Sequence, residues 1–251
     1  MTAGSIHTPP AMHRKPPAAE RARTVAARST ASLYGAGVGS CQLWGAATTD
    51  AGDVLLVVPT AGAATTALQT SPLGDVPARL TITDRTSFPV PHPLRGLVRL
   101  SGWIGPVAEY DVTRLVLDFA EVQACDALFD VGLSATLLRM DLGEVRLEEA
   151  AGTTDVDPDD FLDARPDPVS GAEDDLVAEH CQALARLATR LQQRVGRLDQ
   201  VRLLALDRFG VRFRVQSLGG CYDLRVPFPA PLERPGGFGE AVDHLLRCGR
   251  A

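Results

Sequence analysis

The sequence predicts an α+β protein, in which an antiparallel sheet closed into a small barrel precedes a compact unit of helix, three-stranded sheet and helix. About six apolar runs rich in β-branched residues come before residue 152, with connections too short for regular βαβ crossovers. After residue 169 the periodicity changes to that of a long amphipathic helix. The 251 residues, 45% of them apolar, are enough for two such units.

The first unit is predicted to begin at Ala18, after a mobile tail over residues 1–17 that is rich in proline and small residues. A short helix is expected from Ala18 to Ala31. The barrel strands are predicted at 42–48, 54–58, 79–83, 97–107, 136–141 and 144–148. Helical patterns over 61–69 and 112–122 connect strands, and the second has a clear apolar face. The barrel domain is therefore assigned to residues 18–151.

Residues 152–169 are acidic and interrupted by prolines, so we interpret them as a linker between the two domains. The C-terminal domain is assigned to residues 170–251. Ser170 and Glu173 have the spacing of a capping box at the start of its long helix. The buried stripe of that helix is predicted to contain Val177, Cys181, Leu184, Ala188, Leu191 and Val195. A hairpin, a third strand and an amphipathic helix over 238–246 follow.

The charge distribution argues against a nucleic-acid partner. The formal net charge is −6, but residues 155–175 hold nine carboxylates against Arg165 and therefore carry −8 by themselves. The remainder is close to neutral and creates no general field for a polyanion. Four arginines of the long helix, at 186, 190, 194 and 197, form a basic ridge that we interpret as a solvated face.

Cysteine usage and hydropathy indicate a reduced, cytoplasmic chain with no membrane span. The five cysteines are widely spaced and form no C-x-x-C pair, and the five histidines form no H-x-x-x-H pair, so no metal site is predicted. No run of about 18 apolar residues occurs, and the N-terminus lacks the apolar segment of a signal peptide.

No complete catalytic or phosphate-binding motif is present. A G-x-S-x-G elbow is missing, and the alternating glycines Gly35, Gly37 and Gly39 complete neither a dinucleotide fingerprint nor a P-loop, so a turn is predicted there. No catalytic residue is assigned. His180 lies beside the apolar stripe of the long helix, where its imidazole could ligate iron or pair with a carboxylate. The alternative is a boundary histidine that is hydrogen-bonded to its surroundings.

Several segments of the chain resemble a known protein family. Residues 179–184, 206–211 and 224–232 resemble the small domain of unknown function appended to HugZ-type haem-utilisation proteins. The split barrel of that family, which is related to pyridoxamine-phosphate oxidases, is similar to the segments 21–24, 99–102, 128–132 and 156–161. The resemblance implies an FMN-binding-type split β-barrel, a homodimer, and clefts between subunits that hold flavin or haem in relatives.

The chain also departs from the family pattern. Residues 57–68, around the turn where flavin-binding members hold the cofactor phosphate with basic groups, offer only hydroxyls, so this phosphate site looks eroded. Arg79 is the nearest candidate for a phosphate partner, with Arg85 beyond it; an edge-strand arginine is the alternative for each. The place of a second histidine before His180 is held by Asp175.

These observations lead to three hypotheses about function. The first is a HugZ-like protein that binds haem, flavin or a protein partner without efficient catalysis, using His180 and Arg79 as cofactor contacts. The second is an enzyme, either a haem-degrading oxygenase or a flavin-dependent oxidoreductase, in which the cofactor supplies the redox chemistry. The third is a regulatory adaptor in tetrapyrrole metabolism, which rests on analogy of fold alone.

Overall fold

A computed structural model describes residues 15–28, 30–196 and 198–248. The chain forms two compact units. One covers Pro17–Asp167, and the other begins at Pro168 and includes the residues that follow it. Most of the tail expected over residues 1–17, namely residues 1–14, lies outside the described residues. The α+β class is confirmed, with a curled antiparallel half-barrel sheet and a separate three-stranded sheet.

The first unit is built on an eight-stranded antiparallel sheet. Its strands are β1 (Ala31–Gly35), β2 (Gly39–Cys41), β3 (Gly45–Thr48), β4 (Val54–Pro59), β5 (Val76–Arg85), β6 (Leu94–Pro106), β7 (Ala135–Glu149) and β8 (Gly152–Val156). The order across the sheet is β2-β1-β5-β6-β7-β4-β3, and β8 pairs with the second half of β7. The helices of this unit are α1 (Ala18–Ala26), α2 (Ala63–Thr70), α3 (Glu109–Val122) and α4 (Pro158–Asp163).

Three strands are additional to those predicted, and two predicted strands form one. The strands β1, β2 and β8 were not expected, and β1 begins at Ala31, so α1 ends five residues earlier than expected. Residues 136–141 and 144–148 belong to the single strand β7, which is irregular opposite the Ser101/Gly102 step of β6. A Cβ atom at Gly102 would lie 1.9 Å from the carbonyl oxygen of Asp141, so this close approach requires glycine.

One face of the sheet, the inner face, packs against α1 and α4. Alternating aliphatic residues of the long strands bury their side chains in this core, among them Leu80, Leu100 and Leu138. Arg23 of α1 is buried there as well, and its guanidinium donates to the carbonyl oxygens of Thr49 (2.9 Å) and Ala164 (3.0 Å). Burial lowers the pKa of Arg23 to about 10, so the group stays cationic at neutral pH.

The interpretation of residues 152–169 as a linker is wrong for most of that segment. Residues 152–156 form β8 and pair with β7, and Asp157 caps α4 by accepting from the backbone N–H of Asp159 (2.9 Å). Phe161 in α4 is fully buried in the core of the first unit. Asp159, Asp160 and Asp163 are exposed, whereas Asp167 is buried, and the segment folds onto the sheet, so the first unit extends to Asp167.

The other face, the outer face, is covered only in part. Leu115 and Phe119 of α3 are buried against Leu55, Val57 and other apolar residues of β3, β4 and the start of β7. The rest of the outer face, over β1, β5, β6 and the second half of β7, carries polar and aromatic side chains. This uncovered half positions the candidate site described below.

The second unit contains the predicted helix, three-stranded antiparallel sheet and helix. Its elements are α5 (Pro168–Gly171), α6 (Glu173–Gln192), β9 (Gln200–Asp207), β10 (Gly210–Ser217), β11 (Gly220–Pro227) and α7 (Phe238–Cys248). The sheet order is β11-β10-β9, with both pairs antiparallel. Leucines of α6 and aromatic residues from β10 and α7 form its core.

The capping box predicted at the start of the long helix is wrong. Ala172 precedes α6. Ser170 donates from its hydroxyl to the carbonyl oxygen of Leu206 (2.7 Å), and the N–H of Leu206 donates to the Glu173 carboxylate (2.7 Å). Both side chains are therefore used to join the start of the helical segment to β9 instead of capping the helix.

The predicted apolar stripe of α6 is confirmed in part: Leu184 and Leu191 are buried, and Val177 and Ala188 pack against the same core. The backbone at His180 is not helical (φ −109°, ψ 20°), which shifts the residues before it relative to those after it. The buried leucines are Leu176, Leu184, Leu187 and Leu191, whereas Cys181, predicted to be on the buried stripe, is exposed. The kink explains the error, because the prediction assumed one continuous helical period.

Candidate functional site

The uncovered half of the outer face brings four residues of four strands into one row. Tyr34 of β1 lies directly opposite Arg79 of β5, Arg79 opposite Ser101 of β6, and Ser101 opposite Glu144 of β7. Since side chains at paired positions point to the same face of a sheet, all four project outward. Trp103 follows two residues after Ser101, on the same face, and completes an aromatic and charged surface.

These residues line a groove with a volume of about 520 Å³. The side chains of Tyr34 and Trp103 are its largest apolar surfaces, and they are 50% and 48% exposed. The Trp103 ring lies close to Gly143, because a Cβ atom on Gly143 would be 3.1 Å from it. The groove therefore has aromatic walls and a floor of backbone, which suits a flat guest of small-molecule size.

Arg79 supplies the positive charge of the groove. Its guanidinium carbon lies 5.7 Å from the centroid of the Tyr34 ring, a cation–π distance. Across residues 15–28, 30–196 and 198–248 no carboxylate forms an ion pair with Arg79, and its side chain is exposed. The other candidate, Arg85, lies exposed at the end of β5 and does not line the groove.

The next row of the same face is strongly charged. Arg99 of β6 lies opposite Arg146 of β7, and each arginine has a carboxylate partner. Arg99 pairs with Glu148, while Arg146 contacts Asp155 (2.9 Å) and Glu144 (2.7 Å). The hydrogen bond with Asp155, followed by the charge of Glu144, raises the pKa of Arg146.

His180, the other residue predicted to contact a cofactor, belongs to the second unit and has a packed environment. Its ring lies 5.4 Å from the ring of Phe238 at an angle of 41°. A Cβ atom on Gly239 would come within 2.9 Å of His180 Cε1, so the first turn of α7 rests against the imidazole. The side chain is 23% exposed, with the Glu179 carboxylate 3.8 Å from Nε2.

The remaining candidate features give no further site. Gly37 and Gly39 have positive φ at the tight turn that joins β1 to β2, as predicted for a turn.

Arg186 and Arg190 of the predicted basic ridge line a hollow of about 390 Å³, where Arg190 donates to the carbonyl of Leu246. Arg197 of the same ridge lies outside the described residues. In the described part of the chain, no three His, Cys, Asp or Glu side chains group as metal ligands.

Among the described residues, no helix is both long and apolar enough to cross a bilayer.

Sequence reasoning identified Arg79 but missed the aromatic walls of the groove. Trp103 lies on β6 between Gly102 and Ile104, whose positions face inward. Alternation along the strand could therefore have placed the Trp103 side chain on the outer face. Tyr34 offered none, because β1 was not predicted. The pairing of Tyr34 with Arg79 depends on the register of two strands more than 40 residues apart in the sequence.

Comparison with known proteins supports the fold. No protein-family model and no curated protein sequence matches the chain. A solved structure of a haem-binding protein from Mycobacterium smegmatis is similar over 94% of this chain and 98% of its own, with a TM-score of 0.63 and 20% identity. A protein of unknown function from Agrobacterium tumefaciens matches 91% of this chain and 94% of its own, with a TM-score of 0.42 and 18% identity.

Proposed function

We propose that this chain is a HugZ-like split-barrel protein that binds one planar ligand of the haem or flavin class in the groove of Tyr34, Arg79 and Trp103. The observation that carries the proposal is the pair of half-exposed aromatic rings beside an arginine that has no carboxylate partner among the described residues. The fold shared with a haem-binding protein supports a ligand of this class.

The groove has the physical properties that a flat anionic ligand needs. Covering a large conjugated ring with Trp103 and Tyr34 removes apolar surface from water, at about 25 cal/mol per Å², and gives stacking contacts as well. Arg79 can donate to a carboxylate or phosphate without first losing an ion pair. The groove is open, so a ring can enter without displacing a structural element.

The same surface supports a homodimer, with the ligand between two copies. Two large aromatic side chains at half exposure, on the half of the outer face that α3 leaves uncovered, are typical of a surface that packs against a partner. A second copy would cover the groove from the other side. Sedimentation analysis of the full chain with and without ligand measures this association directly.

No residue is proposed as catalytic. If haem or flavin acts chemically here, the cofactor supplies the redox step, and the residues of the groove hold and orient it. Bleaching of the bound chromophore by a reductant and oxygen would favour the enzyme; a stable chromophore, or none, would favour binding or a protein partner.

The proposal is tested by titrating the full-length protein with haemin and with FMN, following the Soret band, flavin fluorescence and tryptophan quenching. We expect at least one of the two to bind, and Trp103→Ala or Tyr34→Ala to weaken that binding about tenfold, in line with stacking worth about 1–3 kcal/mol per ring. Tyr110→Ala, which removes a tyrosine that is 87% exposed on α3 and outside the groove, is the matched control. The proposal fails if neither ligand binds or if the three variants bind alike.

His180 remains the residue that would hold haem iron through its imidazole, and its test is separate. If its imidazole coordinates haem iron, His180→Ala moves the Soret maximum of the complex. An unchanged spectrum and affinity would assign His180 to packing against Phe238 and leave the groove proposal intact.

A further inference from the structure

A second, smaller pocket adjoins the groove. Its volume is about 190 Å³, and its lining is Arg79, Arg99, Ser101, Glu144 and Arg146. Three guanidinium groups therefore surround a space that holds one carboxylate of its own. Arg79, Ser101 and Glu144 line both this pocket and the groove, so the two spaces lie side by side on the sheet.

Two of these arginines, Arg99 and Arg146, occupy paired positions where their like charges repel each other. Arg99 and Arg146 lie directly opposite each other on neighbouring strands, where like charges destabilise a sheet. Arg99 pairs with Glu148 of β7, and Arg146 pairs with Asp155 of β8 and with Glu144, so the like charges are offset by carboxylates. Each guanidinium has five donors, so these pairs leave donors for a further acceptor.

We propose that this pocket binds one anionic group, a phosphate or a carboxylate, of a ligand whose planar ring lies in the groove. Three arginines provide charge-assisted donors, and the Ser101 hydroxyl adds a neutral one. The volume is enough for such a group with some of its water. This inference rests on the proposed function, and it restricts the ligand to planar molecules that carry an anionic arm on one side.

The experiment compares ligands that differ only in that arm. FMN is measured against riboflavin, which lacks the phosphate, and haemin against its dimethyl ester, which lacks the free carboxylates. We expect the charged member of one pair to bind at least about tenfold tighter, the effect of one or two charge-assisted hydrogen bonds. The pair that shows the preference identifies phosphate or carboxylate as the anion.

Variants then locate the preference. Arg99→Gln combined with Arg146→Gln is expected to reduce it to within about twofold while the uncharged ligand binds as before. We expect the variant to fold, because the carboxylates that lose a partner, Glu144, Glu148 and Asp155, are all at least partly exposed. The corresponding double lysine variant keeps the charges and should retain part of the preference. Arg114→Gln removes an exposed, carboxylate-paired arginine of α3 and is the matched control.

The outcomes separate the two proposals. Equal binding of the charged and uncharged ligands overturns the anion pocket and leaves the groove as a ring site. A preference that survives the double glutamine variant also overturns it, since the anion would then be held elsewhere. If none of the four ligands binds, the proposed function fails and this inference fails with it.

Discussion

The outer face of the large sheet has two halves that differ in what covers them. Over β3, β4 and the start of β7, the side chains are aliphatic, and α3 buries them with Leu115 and Phe119. Over β1, β5 and β6, the same face carries Tyr34, Arg79 and Trp103, and among the described residues of the first unit no helix buries these side chains. One sheet face thus has a structural half and a half that is free to bind.

The difference lies in the kind of residue as well as in the cover. Aliphatic side chains gain only by burial, so the residues under α3 belong to the folding core. Tyr and Trp combine a large apolar ring with a polar atom and are tolerated at half exposure, where a guest can cover them later. We therefore expect substitutions in the first half to change stability and substitutions in the second half to change binding.

The largest expected effect comes from breaking the covered half. Phe119 is fully buried, and a Cβ atom on Gly45 would lie 3.2 Å from its ring, so Phe119→Ala leaves a cavity that the neighbouring strand fills poorly. We expect a loss of about 3–5 kcal/mol in the unfolding free energy of the first unit. Both tryptophans, Trp44 and Trp103, lie in this unit, so denaturant unfolding followed by tryptophan fluorescence reports on it alone.

The control for this variant is Leu117→Ala on the same helix. Leu117 is 60% exposed, and its truncation should change stability by less than about 0.5 kcal/mol. If Phe119→Ala and Leu117→Ala were equally mild, α3 would not be the structural cover that its contacts indicate.

A smaller effect is expected from Gly143→Ala in the uncovered half. The added methyl group would meet the Trp103 ring at 3.1 Å, so the ring must move by a few tenths of an ångström or turn away. Since the ring is half exposed, we expect a stability change below about 1 kcal/mol. Ligand affinity should fall severalfold, and the emission of Trp103 should shift.

Gly105→Ala is the matched control, because the nearest atom to its added methyl, a backbone oxygen, is 4.0 Å away. Equal ligand affinities for the two alanine variants would indicate that the position of Trp103 does not shape the groove.

The fold could be predicted wherever one face of an element is strongly apolar. The long strand β6 and the hairpins of the second unit have this property, and β4 is apolar on both faces. The strands β1, β2 and β8 are short and rich in Gly, Ser or Thr, and they become strands only through pairing with longer neighbours. The acidic composition of residues 152–169 suggested a linker, because the pairing of Asp155 with Arg146 depends on tertiary structure that the sequence does not display.

The site was less predictable than the fold for the same reason. Arg79 was proposed from a resemblance, and its position on β5 made it accessible. Its neighbours Tyr34 and Ser101 come from strands on either side, in registers that no local pattern specifies. The irregular pairing at Gly102 then sets where Trp103 lies. Periodicity predicts which face a residue occupies, but not which residues share a row.

The smallest expected effect concerns the solvent-exposed side of α3. It tests whether the buried side of this helix contributes more to stability than its exposed side. Arg114 contacts Asp111 (3.2 Å) and Asp118 (2.9 Å) within the helix. The hydrogen bond to Asp111 and the two negative charges raise the pKa of Arg114, but the side chain lies in water, where such pairs are weak. Since exposed pairs of this kind contribute little to stability, Arg114→Gln should shift the fluorescence-monitored unfolding midpoint only slightly at low salt, and the shift should disappear near 1 M salt. If Arg114→Gln shifted the unfolding midpoint as much as Phe119→Ala does, the charged side of α3 would contribute as much to stability as its buried side. The distinction between a structural half and a binding half of the sheet face would then be wrong.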